Sequence, residues 1–227
     1  MAAALAWIAY RAAQRAIVLD VTHLLWLEPG AVRELPPVDS QWSFRFLSAD
    51  EVAGHALDPA NSLSLGLAHR LRAQHDLCFA ALTGEVLAAY IWLALGSIEA
   101  EQHRGRRPDP GLALSFPPDV AFVYHAFTRA DYRGRRLVPH CLARALAELA
   151  PLGVGQLFST TDWTNTAALR SFRRLGFHDL GRVWRWGLPS QIYTHVPRAA
   201  GERGVLFEPQ AIIQPRPPAW HGSVEIA

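Results

Sequence analysis

The segment DYRGRRLVPHCLARAL, residues 131–146, places three arginines and a glycine directly before a helical pattern. The preceding segment, Val120–Thr128, is apolar and rich in aromatic and branched residues, which is typical of a buried strand. Amides at the start of a helix lack intrahelical partners, and Arg133, Arg135 and Arg136 stand beside them. The pattern therefore predicts a strand, a turn and a helix that hold an anion, most simply a phosphate, with an ordinary solvated turn as the alternative.

Two titratable side chains, Tyr124 and His125, lie on the predicted strand, and the strand carries no carboxylate. Side chains alternate along a strand, so we expect these two on opposite faces. A histidine has the pKa to accept a proton near neutral pH, which makes His125 a candidate general base. The structural alternative is a core tyrosine with a bonded hydroxyl and a half-buried histidine. Cys141 is a weaker candidate, as a nucleophile, because the helical pattern turns it toward the core.

The composition excludes several kinds of chemistry. All 22 basic residues are arginines, so the chain has no Walker-type phosphate lysine and no Schiff-base lysine. The net charge is only +2 and the arginine clusters RGRR and HRGRR are far apart, which argues against a nucleic-acid-binding module. Cys78 and Cys141 lack a zinc-binding spacing and predict free thiols in a reducing compartment, hence a cytoplasmic protein without a metal site.

Periodicity and turn residues predict an alternation of strands and helices. The predicted strands are Trp42–Leu47, Leu77–Leu82, Val86–Leu95, Val120–Thr128, Gln156–Thr161, Phe177–Gly187 and Gln191–Val196. The predicted helices are Ala49–Leu57, Asn61–Gln74, Leu137–Leu149 and Asn165–Leu175. Gly176 should end the last helix in the left-handed conformation, and the stretch 96–118 is a polar insertion rich in Pro, Gly and Arg.

The sequence divides into a main domain, residues 42–197, between two extensions. The N-terminal extension, residues 1–41, contains a predicted amphipathic helix at Ala4–Leu19 and a short extra strand at His23–Leu27. That helix is expected to pack on the main domain, with contact to a membrane surface as the less favoured alternative. No apolar run reaches the roughly 18 residues of a membrane span. The C-terminal extension, residues 198–227, is rich in Pro and Gly and is predicted to be irregular.

Two segments resemble the motifs of the GNAT superfamily of acyl-CoA N-acyltransferases. FTRADYRGRRLVPHCLARAL is similar to the family's strand, Arg/Gln-x-x-Gly-x-Gly/Ala turn and helix. TDWTNTAALRSFRRLGF is similar to its Asn-x-x-Ala and Tyr-x-x-x-Gly-Phe segment, through Asn165, Ala168, Phe172, Gly176 and Phe177. The resemblance spans Trp42 to Val196 and implies an α/β fold with a mixed, mostly antiparallel central sheet flanked by helices.

The resemblance also implies where an acyl-CoA would bind. The turn that holds the pyrophosphate would be Arg133, Gly134, Arg135, Arg136, Leu137 and Val138. The pantetheine arm would pair with the exposed backbone of Ala126, Phe127 and Thr128, and would contact Asn165 and Phe172. The acceptor would lie beside Asp58–Asn61, the 96–118 insertion and the start of the last hairpin. In that insertion, Arg104, Arg106 and Arg107 either read an anionic acceptor or lie in a solvated loop.

The chain departs from the family pattern at three places. Arg136 and Val138 replace small residues of the phosphate turn, so the turn is expected to be looser. Phe172 replaces a tyrosine that protonates the leaving thiolate in many members, and Phe122 stands at the usual glutamate base. Tyr124 shares a face with Phe122, which ranks it ahead of His125 as the catalytic group of the strand.

Together these observations predict an acyl-CoA-dependent N-acyltransferase. Acetyl-CoA or another acyl-CoA is the implied co-substrate, a small-molecule amine is the implied acceptor, and a homodimer is left open. Two alternatives remain at this stage. The chain could bind an acyl-CoA without turnover, as a sensor or scaffold, or it could use a longer acyl donor.

Overall fold

The computed structural model describes residues 9–10, 12–14, 17–72, 76–100, 111–188 and 191–209. The strands are β1 Val18–Leu27, β2 Trp42–Phe46, β3 Asp76–Thr83, β4 Val86–Leu95, β5 Ser97–Ile98, β6 Leu112–Ser115, β7 Val120–Thr128, β8 Gln156–Asp162, β9 His178–Leu188, β10 Gln191–His195 and β11 Leu206–Pro209. The helices are α1 Ala49–His55, α2 Leu65–Arg72, α3 Leu137–Leu149, α4 Thr166–Leu175 and α5 Arg198–Gly201.

Within the described ranges, eight strands form one sheet in the order β10-β9-β1-β8-β7-β4-β3-β2. Neighbouring strands are antiparallel except β7 and β8, which are parallel. The predicted mixed, mostly antiparallel sheet with flanking helices is thus confirmed. A second sheet of the described chain, β11-β6-β5, packs at one end. None of the described helices is long and apolar enough to cross a bilayer.

Helices cover both faces of the large sheet. On one face, α3 buries a leucine-rich stripe against β3 and β4, and each leucine removed from water contributes about 1.5–3 kcal/mol. On the other face, α1 and α2 pack over β3 and β4. Cys141 lies in the first interface and Cys78 in the second. Burial raises the pKa of both free thiols, which makes neither a ready nucleophile.

The N-terminal segment differs from its prediction. Val18 and Leu19 begin a strand instead of ending a helix, and that ten-residue strand, β1, is longer than the predicted His23–Leu27. Residues 9–10 and 12–13 are helical, and the predicted helix before residue 9 lies outside the described residues. β1 is inserted between β8 and β9, which are its partners along its length. Local periodicity did not indicate this position because both partner strands come from the last third of the chain.

The C-terminal segment also differs from its prediction. The stretch from Arg198 to Pro209, which was expected to be irregular, contains the short helix α5 and the strand β11. β11 pairs with β6, so this segment completes the small sheet beside the insertion. Ala200 and Val205 are buried against that sheet, and their burial gives the segment a fixed position despite its Pro and Gly content.

Gly176 is a position where a side chain should measurably destabilise the protein. Its φ is 116°, and a Cβ built on it would lie 1.9 Å from the Ala31 carbonyl oxygen. Gly176→Ala should therefore lower the free energy of unfolding by about 2–5 kcal/mol, through backbone strain and a clash that only a shift of residues 31–33 can relieve. Chemical denaturation measures this change.

Gly153→Ala is the matched control. Gly153 also follows a helix at positive φ, 91°, but a Cβ there would meet nothing within 4 Å. Only the strain of a left-handed residue applies, so the loss should be about 1–2 kcal/mol. Equal losses in the two variants would show that the contact of Gly176 with residues 31–33 has no energetic weight.

Candidate active site

β7 and β8 are paired only at their beginnings. Their pairing ends at Val123 and Ser159, where the Ser159 hydroxyl donates to the Val123 carbonyl at 2.8 Å. Beyond this point β7 pairs with β4 and β8 pairs with β1. In the described part of the chain, the backbone of Ala126–Thr128 therefore has no strand partner on the β8 side. An open edge of this kind can pair with an extended ligand that carries amide groups.

The turn after β7 presents free amides at the start of α3. Arg136 is the N-cap of α3 and its side chain makes no capping hydrogen bond. Among the described residues, the amides of residues 135–138 have no hydrogen-bond partner. Gly134 and Arg136 have φ of 80° and 59°, so both lie in the left-handed region. Arg136 keeps the backbone conformation that a glycine would adopt, at a cost of about 1–2 kcal/mol. The backbone of the turn at Arg136 is therefore not looser, contrary to the expectation from sequence.

The three arginines of the turn point in different directions. The Arg135 guanidinium lies over the rings of Trp42 and Tyr132, 5.8 Å from each centroid. Arg133 Nε donates to the Thr128 carbonyl at 3.5 Å, the limit of a hydrogen bond. These two side chains hold the turn against β2 and β7. Arg136 instead lines a cavity between α3 and α4.

This cavity has a volume of about 630 Å³ and a positive lining. Arg170 and Arg174, one turn apart on α4, face it together with Arg136 and a single carboxylate, Glu34. The remaining lining residues are Leu35, Pro36, Pro139, Ala167, Ser171 and Leu175. Sequence analysis did not single out Arg170 and Arg174. The sequence does contain a signal for this surface. Two arginines and two small residues each recur at an i, i+4 spacing, which places each pair on one side of the helix.

Asn165 and Phe172 lie on the first and second turns of α4. The Asn165 Oδ1 accepts from the Ala168 amide at 3.1 Å, which makes Asn165 the N-cap of α4. Its exposed Nδ2 group remains available to a ligand. Phe172 is buried, with its ring edge-on to Phe177 at 4.8 Å between centroids. It therefore contributes an apolar surface and no proton.

A β-bulge in β7 brings Tyr124 and His125 to the same face of the sheet. The register of β7 on β4 shifts at Tyr124, which is the extra residue of the bulge. The Tyr124 ring lies 6.3 Å from the Trp92 ring, and the His125 ring lies 5.7 Å from the Tyr90 ring. Trp92 and Tyr90 are two residues apart and share one face of β4. The expectation of opposite faces is thus wrong, because the bulge interrupts the alternation.

Tyr124 belongs to a buried polar network. Its hydroxyl donates to Asp76 Oδ2 at 2.8 Å, and the buried Asp76 carboxylate also accepts from Arg70 through Nε and, at 2.8 Å, through Nη2. Burial and the negative charge of Asp76 raise the pKa of Tyr124. A tyrosine that holds its proton this firmly is a poor base at neutral pH. The geometry therefore favours His125 over Tyr124, the reverse of the ranking from sequence.

His125 is exposed at the edge of an open cleft. Its Nε2 lies 3.4 Å from the hydroxyl oxygen of Tyr90, which is itself fully buried. Surrounding protein atoms displace water from the ring and lower the pKa of His125. A lowered pKa favours the neutral imidazole, which is the form that can accept a proton.

The loop between α1 and α2 borders the same cleft. Arg129 Nη1 donates to Asp58 Oδ2 at 2.8 Å, and Asp58 Oδ1 accepts from the Ala60 amide at 2.9 Å. The hydrogen bond from Ala60 and the Arg129 charge lower the pKa of Asp58. The structure thus brings the predicted acceptor loop beside His125. Arg104, Arg106 and Arg107 of the insertion lie outside the described residues.

A model described as the acetyltransferase (GNAT) family matches residues 38–177. No curated protein matches the chain. Among solved structures, a GCN5-related N-acetyltransferase from Kribbella flavida has 16% identity and a TM-score of 0.50, over 80% of this chain and 63% of that one. A GNAT-family acetyltransferase from Colwellia psychrerythraea has 13% identity and a TM-score of 0.51, over 75% of this chain and 57% of that one.

A Drosophila protein has 16% identity and a TM-score of 0.51, over 85% of this chain and 57% of that one. The chain thus spans less than two-thirds of the length of each of these three relatives. At such low identities the likeness concerns the fold.

Proposed function

The chain belongs to the acetyltransferase (GNAT) family, and from this membership we propose that it transfers an acetyl group from acetyl-CoA to the amine of a small molecule. Transfer is direct, with both substrates bound at once. The observation that carries the proposal is the separation of β7 and β8 beside a helix start with free amides. A free strand edge can bind an extended chain of amides, and the helix start next to it can bind a phosphate.

The residues of the groove fit coenzyme A along its whole length. The amides of residues 135–138 and the positive end of α3 bind the pyrophosphate. The cavity lined by Arg136, Arg170 and Arg174 accepts the phosphorylated adenosine end, because guanidiniums match phosphate geometry. The open backbone edge at Ala126–Thr128 pairs with the pantetheine amides, and the Nδ2 group of Asn165 donates to the same arm.

His125 acts as the general base. Its lowered pKa favours the neutral form, its side chain is exposed, and it directly precedes the backbone edge that would hold the thioester. It accepts a proton from the acceptor amine, directly or through one water, as the amine attacks the carbonyl carbon. Proximity contributes to catalysis as well, because the groove holds one substrate beside the other. The second substrate lies at the loop between α1 and α2, which the Asp58–Arg129 ion pair fixes to the end of β7.

The developing negative charge and the leaving group need their own partners. Backbone N–H groups at the open edge of β7 stabilise the oxyanion. Phe172 cannot protonate the departing thiolate, so after His125 has taken the proton of the amine the thiolate obtains its proton from water. The proposal thus relies on positioning and one base, without a dedicated acid.

A screen of acyl-CoAs and amines tests the overall proposal. Thermal shift identifies the acyl-CoA that stabilises the protein, and mass spectrometry then detects an acylated product with a panel of small amines. Stabilisation without any product would favour the sensor or scaffold alternative. A stronger shift with long-chain acyl-CoAs than with acetyl-CoA would change the proposed donor.

Gly134 provides a test of the pyrophosphate site. Gly134→Asp places a carboxylate beside the free amides, and should abolish the rise in melting temperature that CoA causes. Gly134→Asn is the matched control, since Asn has the same shape and tolerates positive φ equally well. An equal CoA-induced shift in both variants would show that the pyrophosphate binds elsewhere.

The double variant Arg170→Gln and Arg174→Gln tests the cavity. Removing two guanidiniums should weaken CoA binding by about tenfold, or roughly 1.4 kcal/mol. Isothermal titration measures the affinity. Arg198→Gln is the control, because Arg198 is an exposed arginine that pairs with Glu202 near a different surface. Unchanged affinity in the double variant would show that the adenosine end of CoA does not bind in this cavity.

His125→Gln tests the base. The variant should bind CoA as before and lose about a hundredfold or more in kcat. A base must be deprotonated, and a lowered pKa keeps His125 deprotonated to lower pH than usual. In the native protein, kcat should therefore decrease only below pH 6.5, where His125 becomes protonated. This decrease should be absent in the variant. Full activity of His125→Gln would exclude it as the base.

A further inference from the structure

Tyr90 links the candidate base to the acceptor loop. It lies on β4 with its ring stacked on Phe127, 5.4 Å between centroids, and tilted against the His125 ring at 5.7 Å. Its hydroxyl donates to the Asn61 carbonyl at 3.0 Å, and the Ser62 carbonyl lies 3.3 Å away. The third neighbour of the hydroxyl is His125 Nε2 at 3.4 Å.

The single proton of the Tyr90 hydroxyl decides whether this group donates a hydrogen bond to His125 or accepts one from it. A phenol has one proton to donate, and two carbonyl oxygens compete for it on the loop side. The Asn61 carbonyl is the nearer acceptor, at 3.0 Å against 3.4 Å for Nε2, so the proton of Tyr90 points to the loop. The hydroxyl oxygen then offers a lone pair to His125, and Nε2 must carry a proton to use it. In a neutral imidazole, this leaves Nδ1 unprotonated.

The loop carbonyls are held in place for this contact. Ser62 has φ of 51°, a left-handed conformation that turns the two carbonyls of residues 61 and 62 toward Tyr90. Asn61 is buried, and its Nδ2 donates to the His55 carbonyl at 2.9 Å. The Asp58–Arg129 pair ties the start of the loop to the end of β7. The orientation of the Tyr90 hydroxyl is thus fixed before any substrate binds.

We infer that Tyr90 is a positioning residue that holds His125 as the Nε2-protonated tautomer, so that Nδ1 is the atom that accepts the proton of the acceptor amine. Among the residues that the structure describes, Nδ1 has no hydrogen-bond partner. This inference rests on the proposed function and names the reacting nitrogen of the base. Tyr90 itself does not touch the substrate.

Nitrogen NMR of the protein labelled with ¹⁵N-histidine measures the tautomer without any enzyme assay. The chain has ten histidines, and the His125 signals are those lost in His125→Gln. At a pH where the ring is neutral, the native protein should show one protonated nitrogen, Nε2, and one unprotonated nitrogen, Nδ1. A mixture of tautomers, or a protonated Nδ1, would overturn the inference even if every other variant failed to fold.

Tyr90→Phe removes one hydroxyl and keeps the ring. Both His125 nitrogens should shift toward values averaged over two tautomers, and kcat should fall about tenfold while KM for the amine changes little. Tyr124→Phe is the matched control for the spectrum. It removes a buried hydroxyl from the neighbouring position, but one that contacts Asp76, so the His125 tautomer should stay as in the native protein.

The outcomes separate this inference from the proposed function. If Tyr90→Phe has the native His125 spectrum and native kcat, Tyr90 does not position the imidazole, whatever His125 does. If His125→Gln is fully active, the base of the proposed function is wrong, while the spectrum still reports the tautomer. A changed spectrum with unchanged kcat in Tyr90→Phe would also overturn the catalytic part of the inference.

Discussion

The arrangement of the site depends on the separation of two parallel strands. Past Val123 and Ser159, β8 stays paired with β1 and β7 with β4, while β7 and β8 no longer pair with each other. The Ser159 hydroxyl satisfies the last carbonyl at the branch point, so the separation leaves no orphaned acceptor there. Every other feature of the candidate site, from the open edge to the cavity beside α4, lies along the groove that this separation creates.

Local strain is concentrated where this groove meets its ligands. Arg136 and Ser62 are the non-glycine residues at positive φ in the described chain, and they stand at the phosphate turn and the acceptor loop. Each costs about 1–2 kcal/mol, which packing elsewhere must offset. At Arg136 the strained residue also gives the cavity a guanidinium that a glycine could not supply. The departure from the family pattern therefore preserves the backbone shape and adds charge.

Local patterns predicted the elements that are continuous in sequence. The strands β3 and β4, the helix α3, and the helix α4 with its end at Gly176 were predicted because their signals are turn residues and periodicity. The position of β1 was not, since it depends on partners in the last third of the chain. Nor was the bulge at Tyr124, because one extra residue in a strand leaves the apolar pattern almost unchanged. That single residue decided which side chain faces the cleft.

A histidine and a glutamate need different pKa shifts to act as a general base near neutral pH. A glutamate has an ordinary pKa of about 4.3, so raising it to neutrality takes a shift of nearly 3 units, or about 4 kcal/mol of desolvation. Such a shift requires a closed, apolar pocket. The ordinary pKa of a histidine is already near neutrality, and the neighbouring protein atoms lower the pKa of His125 further, so an exposed imidazole can serve as a base without a closed pocket. An open cleft, a buried Phe172 and a strand without a carboxylate are therefore consistent with the proposed use of His125 as the base, for which Tyr90 is the inferred positioning residue.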